Sequence, residues 1–157
     1  MSAAVREIVS VDEPMVITDD REGQVGKRYR TTMDALDSGT TDHTAALRAY
    51  VEAMPAHRNR AGGFWVAASD PLAAEQALTG TLSADQIRAA ALLSDGASRL
   101  VDRFRLATWR QALGILDRGD PSELIRQVRG AEHSDPAGKR WPRGKVCDDS
   151  TAAHCLI

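Results

Sequence analysis

An apolar run, Ala89-Ala90-Ala91-Leu92-Leu93, ends directly in Ser94-Asp95-Gly96, and this junction constrains the fold more than any other segment. A short apolar run that stops at a turn signal predicts a buried central strand. A second acidic segment, Asp148-Asp149-Ser150-Thr151, leads into a predicted C-terminal strand over residues 151–157. Because carboxylates at strand ends can converge on a metal ion, we expect Asp95 and Asp148 to meet at one edge of a sheet.

Apolar spacing and turn residues predict the remaining elements. Two early strands and a short buried strand are expected over Val5–Val11, Met15–Thr18 and Phe64–Ala67, and surface loops over residues 19–39 and 132–145. Helices are expected from Asp42 to the stop at Pro55, from Pro71 to Leu78, twice after Gly96, and after the cap Asp120-Pro121, with a helical turn at Ser83–Gln86. Strands paired early and late, with helices between them, predict a layered α/β sandwich.

Length and charge limit the classes of protein to consider. The 157 residues (17.0 kDa) fit one domain, residues 1–157, and 43% hydrophobic and 27% charged residues are typical of a folded chain. A net charge of −2 makes a general nucleic-acid binder unlikely on electrostatic grounds. No segment has the uninterrupted apolar length of a membrane span and the first residues lack a signal-peptide core, so no membrane association and a cytoplasmic location are expected.

The stretch Trp141-Pro142-Arg143-Gly144-Lys145, placed before the last acidic motif, adds a third signal. With Ser-Asp-Gly and Asp-Asp-x-Thr, it makes the C-terminal half resemble the metal-dependent protein phosphatases of type 2C, in particular their bacterial members. The resemblance implies a partial α-β-β-α sandwich of mainly antiparallel sheets and metal-dependent hydrolysis of phosphoserine or phosphothreonine in a phosphoprotein. It also implies Mg²⁺ or Mn²⁺ ligands at Asp95 and Asp148, and possible phosphate contacts from Arg143 and Lys145.

The family's first-half motifs, an acidic motif with an arginine and an Asp-Gly motif, are not found in this sequence. The chain is therefore expected to correspond to an N-terminally truncated phosphatase domain that binds metal weakly, since Mg²⁺ loses its water reluctantly. These motifs do not decide whether the chain is active as an enzyme, and they identify no acid, base or nucleophile for a reaction. The alternative is a noncatalytic phosphatase-like interaction module that binds a phosphoprotein partner.

Simpler interpretations of the same residues stay open. Asp-Gly is a common turn dipeptide, and Asp-Asp-Ser-Thr could cap a helix or end a loop. The basic segment 139–145 could be a solvated loop with Trp141 packed beneath it, or could hold single-stranded nucleic acid. Three further acids, Asp19, Asp20 and Asp102, could also approach the site. A remnant zinc site near the C-terminus, formed by Cys147, His154 and Cys155, is also conceivable.

Overall fold

The fold is organised around an antiparallel sheet. The computed structural model of the chain describes residues 6–10, 14–67 and 70–157. Within these residues the chain has a mixed α+β fold whose four strands are ordered β2-β1-β3-β4; they are β1 (Arg6–Ser10), β2 (Met15–Ile17), β3 (Ala89–Leu93) and β4 (Ala152–Leu156). In the antiparallel register Ala91 pairs with Ile8 and Leu93 pairs with Ala152. The apolar run 89–93 is therefore the central strand that its sequence predicts.

Six α-helices occur in the described residues, namely α1 (Arg21–Asp34), α2 (Thr41–Ala53), α3 (Leu72–Glu75), α4 (Asp95–Asp102), α5 (Trp109–Arg118) and α6 (Pro121–Ser134). Short 3₁₀ turns cover Met54–His57 and Ala84–Gln86. Side-chain caps define where some helices begin. Thr108 and Gln111 form a capping box at the N-terminus of α5, and Asp120 accepts a hydrogen bond from the Ser122 N–H at the N-terminus of α6. None of these helices combines the length and apolar character needed to cross a membrane.

Alternate residues of β3 face opposite sides of the sheet, and only one of these sides is covered by α4, α5 and α6. Ala89, Ala91 and Leu93 are buried, whereas 44% of Leu92 is exposed. This alternation follows from the two-residue period of a strand, and α4, α5 and α6 cover the buried side. The main core contains Ala91, Leu93, Ala97, Leu100, Phe104, Ala112, Leu113, Leu116, Leu124, Val128, Ala131 and Trp141.

Helices α1 and α2 pack together around a second, smaller apolar cluster. Val25, Met54 and Phe64 are buried there, with the partly buried Tyr29 and Tyr50 against them. Tyr50 donates a 2.7 Å hydrogen bond to the Glu22 carboxylate, which ties α2 to the first turn of α1. The helical pair is therefore held by a polar contact as well as by apolar burial.

Several expected elements differ in the structure. The predicted loop over 19–39 is wrong, because Arg21–Asp34 is helical and Val25, Tyr29 and Met33 recur at a helical spacing of four. The predicted strand Phe64–Ala67 is also wrong, since Phe64 is buried but makes only an isolated bridge to Arg58. The helix expected from Pro71 to Leu78 is limited to Leu72–Glu75, and Val5 and Val11 lie outside the described residues.

Leu93 and Leu92 lie on opposite faces of β3, so truncating them should lower the free energy of unfolding by different amounts. Leu93→Ala should lower the free energy of unfolding by about 2–5 kcal/mol, because it opens a cavity under α4–α6. Leu92→Ala is the matched control and should cost less than about 1 kcal/mol, because much of that side chain already contacts water. Urea denaturation followed by circular dichroism measures both changes, and equal losses would contradict the assignment of the two faces.

Candidate functional site

The two acidic motifs are in direct contact at the end of the β3–β4 pair. The Ser94 N–H donates to the Thr151 carbonyl at 2.9 Å, and the Thr151 N–H donates to Ser94 Oγ at 3.0 Å. These bonds continue the ladder one step past the pairing of Leu93 with Ala152. The convergence predicted for these motifs is therefore present in the fold.

Gly96 allows the motifs to approach this closely. A Cβ atom placed on Gly96 would lie 2.2 Å from the Asp149 carbonyl oxygen, far inside any van der Waals contact. A larger residue would push the Asp149 main chain away from the N-terminus of α4. The glycine of Ser-Asp-Gly thus has a steric role besides its place in a turn-like sequence.

Asp95 is the first residue of α4, with part of its surface exposed, and its Oδ1 accepts the Gly96 N–H at 3.0 Å. Loss of hydration around the carboxyl and the negative charge of Asp148 raise the pKa of Asp95. The Gly96 N–H and the Arg99 charge act in the opposite direction but are outweighed. The two carboxylates are therefore near enough to repel each other.

Asp148 is held by two cationic side chains. Arg99 donates through Nη2 to Oδ2 at 2.7 Å, and Lys145 donates through Nζ to Oδ1 at 3.1 Å. Only 16% of the Asp148 side chain is exposed, so this carboxylate is oriented by its partners rather than by solvent. The Asp149 N–H also donates to Oδ1 at 3.1 Å.

Beneath Asp148 lies a glutamate that the sequence analysis assigned to a loop. Glu132 is on α6 with no exposed surface, and its carboxylate accepts from Arg99 Nη1 at 2.7 Å and from Arg129. Arg129 also donates to Ser150 Oγ at 3.2 Å. The available signal was its spacing, because Glu132 follows Leu124 and Val128 at intervals of four on the core face of the helix.

Arg143 and Lys145, both expected as possible phosphate contacts, point in different directions. The Arg143 guanidinium is 1% exposed and donates to Asp135 at 3.1 Å and to the carbonyls of Trp141 and Val146. Its Nη2 also donates to the Glu132 carbonyl at 3.1 Å. Arg143 is thus engaged inside the protein, whereas Lys145 faces Asp148 and is partly exposed.

Among the other candidates, Cys147 adjoins the cluster, and burial together with the neighbouring Glu132 carboxylate raises the pKa of its thiol. Others make local contacts elsewhere. Asp19 forms an ion pair with Arg21, and His154 Nε2 lies 3.1 Å from the Asp117 carboxylate. Asp102 is exposed on α4. Trp141 is buried against Phe104 with ring centroids 4.9 Å apart, and so packs beneath the basic loop as one open alternative anticipated.

A separate cavity of about 520 Å³ lies between β2, β3 and α3 and includes none of Asp95, Asp148, Arg143 and Lys145. Ile17, Trp65 and Leu92 supply apolar walls, while Asp19 and Arg21 line a polar part. Its open side continues the exposed face of the sheet at Leu92. This concavity was not anticipated from the sequence, since it depends on how residues 65–67 and the segment around α3 lie against the sheet.

The donor chemistry at the motif contact fits a hard divalent cation in part. Asp95 and Asp148 are carboxylates of the kind that Mg²⁺ and Mn²⁺ prefer, and a cation between them would relieve their repulsion. Among the described residues, no group of three or more histidine, cysteine, aspartate or glutamate side chains is arranged to hold a metal ion. Two protein ligands would leave the remaining coordination positions to water.

Comparison of the chain with models of known protein families, with curated proteins and with solved structures found no match. What the site can do therefore has to be judged from its own contacts. Those contacts place two carboxylates at one edge of the sheet and anchor one of them through Arg99 and Lys145.

The Asp135–Arg143 pair predicts a pH dependence of stability. Burial opposes ionisation of Asp135, but hydrogen bonds from the main chain of Trp141 and Lys139 and from Arg143 outweigh it, so its pKa is lowered from 3.8. A carboxyl with a lowered pKa contributes stability above its unfolded value, and this contribution is lost as pH falls through the folded value. Asp135→Asn should therefore cost about 3–5 kcal/mol at pH 7, because Arg143 loses its buried partner.

The difference in unfolding free energy between the wild type and Asp135→Asn should shrink as pH falls below about 4, because the unfolded wild-type carboxyl then becomes protonated while the folded carboxyl, whose pKa is lowered, does so only at a lower pH. Urea denaturation between pH 2 and pH 7 measures this difference. Asp149→Asn serves as the control, because its side chain is exposed. A constant difference across this range would contradict the role given to the Asp135 charge.

Proposed function

We propose that the chain is a protein phosphatase 2C-like polypeptide that binds Mg²⁺ or Mn²⁺ through Asp95 and Asp148. In a complete site it would hydrolyse phosphoserine or phosphothreonine in a cytoplasmic phosphoprotein. The observation that carries this proposal is the contact between Ser-Asp-Gly and Asp-Asp-x-Thr, made by the two hydrogen bonds between Ser94 and Thr151. These two residues are 57 positions apart in the sequence.

The physical support is electrostatic. Loss of hydration and the negative charge of Asp148 raise the pKa of Asp95, so a cation bound near the two carboxylates would favour the ionised form of Asp95. A bound divalent ion supplies a water of lowered pKa and neutralises phosphoryl oxygens. The task of Asp95 and Asp148 is to hold the ion, and the first turn of α4 and the Arg99 contact keep these two side chains in place.

The fold supports the same proposal at a coarser level. An antiparallel sheet covered on one side by α4, α5 and α6 corresponds to one sheet and one helical layer of an α-β-β-α sandwich. In such a sandwich a second sheet would pack about 10 Å away, on the side of the first that carries Leu92. Leu92, 44% exposed on that side of β3, has the apolar character that such packing requires.

A noncatalytic phosphatase-like interaction module is the second candidate. It is favoured by the ion pairs of Asp148, since Arg99 and Lys145 already contact both oxygens of this carboxylate. In that function the ion pairs hold the two motifs together without any bound metal. The partner would be a phosphoprotein recognised without hydrolysis.

Metal binding separates the two candidates. Isothermal titration with Mn²⁺ should give a weak dissociation constant, on the order of 10⁻⁴–10⁻³ M, since few protein ligands are available. Asp95→Asn and Asp148→Asn should each weaken binding at least about tenfold, because each removes one charged oxygen ligand. Asp149→Asn is the matched control and should bind Mn²⁺ like the wild type, as its exposed carboxylate belongs to the same motif but lies outside the pair.

Hydrolysis of an aryl phosphate in Mn²⁺ is measured on the same four proteins. Turnover by the wild type and Asp149→Asn, and its loss in the other two variants, would support a phosphatase active as this chain. Mn²⁺ binding without turnover would support a metal site that is catalytically incomplete. If none of the proteins binds Mn²⁺, the phosphatase proposal fails and the interaction module is favoured.

A further inference from the structure

The two cations on Asp148 are held very differently. Arg99 is 12% exposed and its second nitrogen donates to Glu132, which has no exposed surface. Removing Arg99 from its place would leave a buried carboxylate with one partner fewer, which is strongly unfavourable. Arg99 is therefore a fixed part of the protein interior.

Lys145 is the looser of the two partners. Its side chain is 38% exposed, it lies in a loop after Gly144, and its contact with Asp148 Oδ1 is 3.1 Å long. Partly exposed lysine–carboxylate pairs contribute little to stability, and the lysine stem is flexible. The ammonium can therefore leave Oδ1 for water at small cost, while Arg99 keeps hold of Oδ2.

We propose that Lys145 is an internal substitute for a metal cation at Asp148, and that its ammonium leaves Oδ1 when a divalent ion binds there. This inference rests on the proposed function, because it concerns the same carboxylate pair. Release of Lys145 accompanies metal binding and turns its ammonium outward, beside the site where a phosphoryl group would contact the ion. Lys145 thus acts as a competitor for the metal when the site is empty and as a phosphate contact when the site is loaded.

The roles of the neighbouring groups agree with this exchange. A divalent ion bound beside Asp148 would repel the Lys145 ammonium, so departure of Lys145 from Oδ1 removes one positive charge from the occupied site. The Asp149 N–H donates to the same Oδ1 atom and keeps that oxygen oriented after the lysine leaves. Arg99 prevents the Asp148 carboxylate from following Lys145 into solvent.

The test compares Mn²⁺ affinity in Lys145→Met and in Lys139→Met. Lys145→Met should bind Mn²⁺ about two- to tenfold more tightly than the wild type, since it removes both the competing ion pair and a repelling charge. Lys139→Met is the matched control: it removes the same charge from the same loop, but Lys139 pairs with Asp37, so affinity should stay within about twofold. Circular dichroism establishes that each variant is folded before titration.

A second measurement follows Lys145 itself in the wild-type protein. Acetylation by an amine-reactive ester, read by mass spectrometry, should become faster at Lys145 when Mn²⁺ is added, with Lys139 as the internal reference. The same experiment on Asp148→Asn should show fast labelling with or without Mn²⁺. Both results are expected if the ammonium exchanges with the ion.

The outcomes distinguish this inference from the proposed function. If Mn²⁺ binds the wild type and is lost in Asp148→Asn, but Lys145→Met binds no more tightly, the site exists and the role given to Lys145 is overturned. If neither the wild type nor Lys145→Met binds Mn²⁺, both proposals fail. Tighter binding by Lys145→Met together with metal-dependent labelling of Lys145 would support the exchange.

Discussion

The buried carboxylate of Glu132 is the constraint on which the arrangement around the site depends. A carboxylate with no exposed surface needs cations and hydrogen-bond donors around it, and here Arg99 and Arg129 supply them. Arg99 extends from Glu132 to Asp148, and Arg129 extends to Ser150 and the Asp148 carbonyl. One buried charge on α6 thereby determines where α4 and the last acidic motif lie relative to each other.

Charge balance follows from the same network. Three acidic side chains face three basic ones, the acids being Asp95, Asp148 and Glu132 and the bases Arg99, Arg129 and Lys145. Two of the bases are tied to Glu132, so Lys145 alone can leave without exposing a buried charge. A divalent ion added to the full set would create an excess of positive charge. Departure of Lys145 reduces this excess, which is why exchange is physically more reasonable than simple addition.

The fold could be predicted from sequence wherever one local signal dominated. The run 89–93 and the cap at Asp120 are such cases, because a continuous apolar stretch and an Asp-Pro start each favour one structure. Helix α1 was missed because Gly23, Gly26 and many charges obscured the spacing of Val25, Tyr29 and Met33. Phe64 shows the opposite error, since an apolar cluster reports burial but does not report whether a neighbouring strand is available for pairing.

At the candidate site, sequence could predict that the two acidic motifs meet but not which groups orient Asp148. Glu132 and Arg99 become partners only through the packing of α6 on α4, which no local spacing encodes. The basic loop illustrates the limit most clearly, because Arg143 and Lys145 are two residues apart and equally basic.

Arg143 turns inward because the buried Asp135 and several carbonyls need its planar set of donors, a task that a lysine ammonium cannot perform. Lys145 turns toward Asp148, where a single point charge on a flexible stem suffices. The anchored arginine holds the loop in place without help from the lysine. The exchange proposed for Lys145 therefore does not require the loop to lose its own fold.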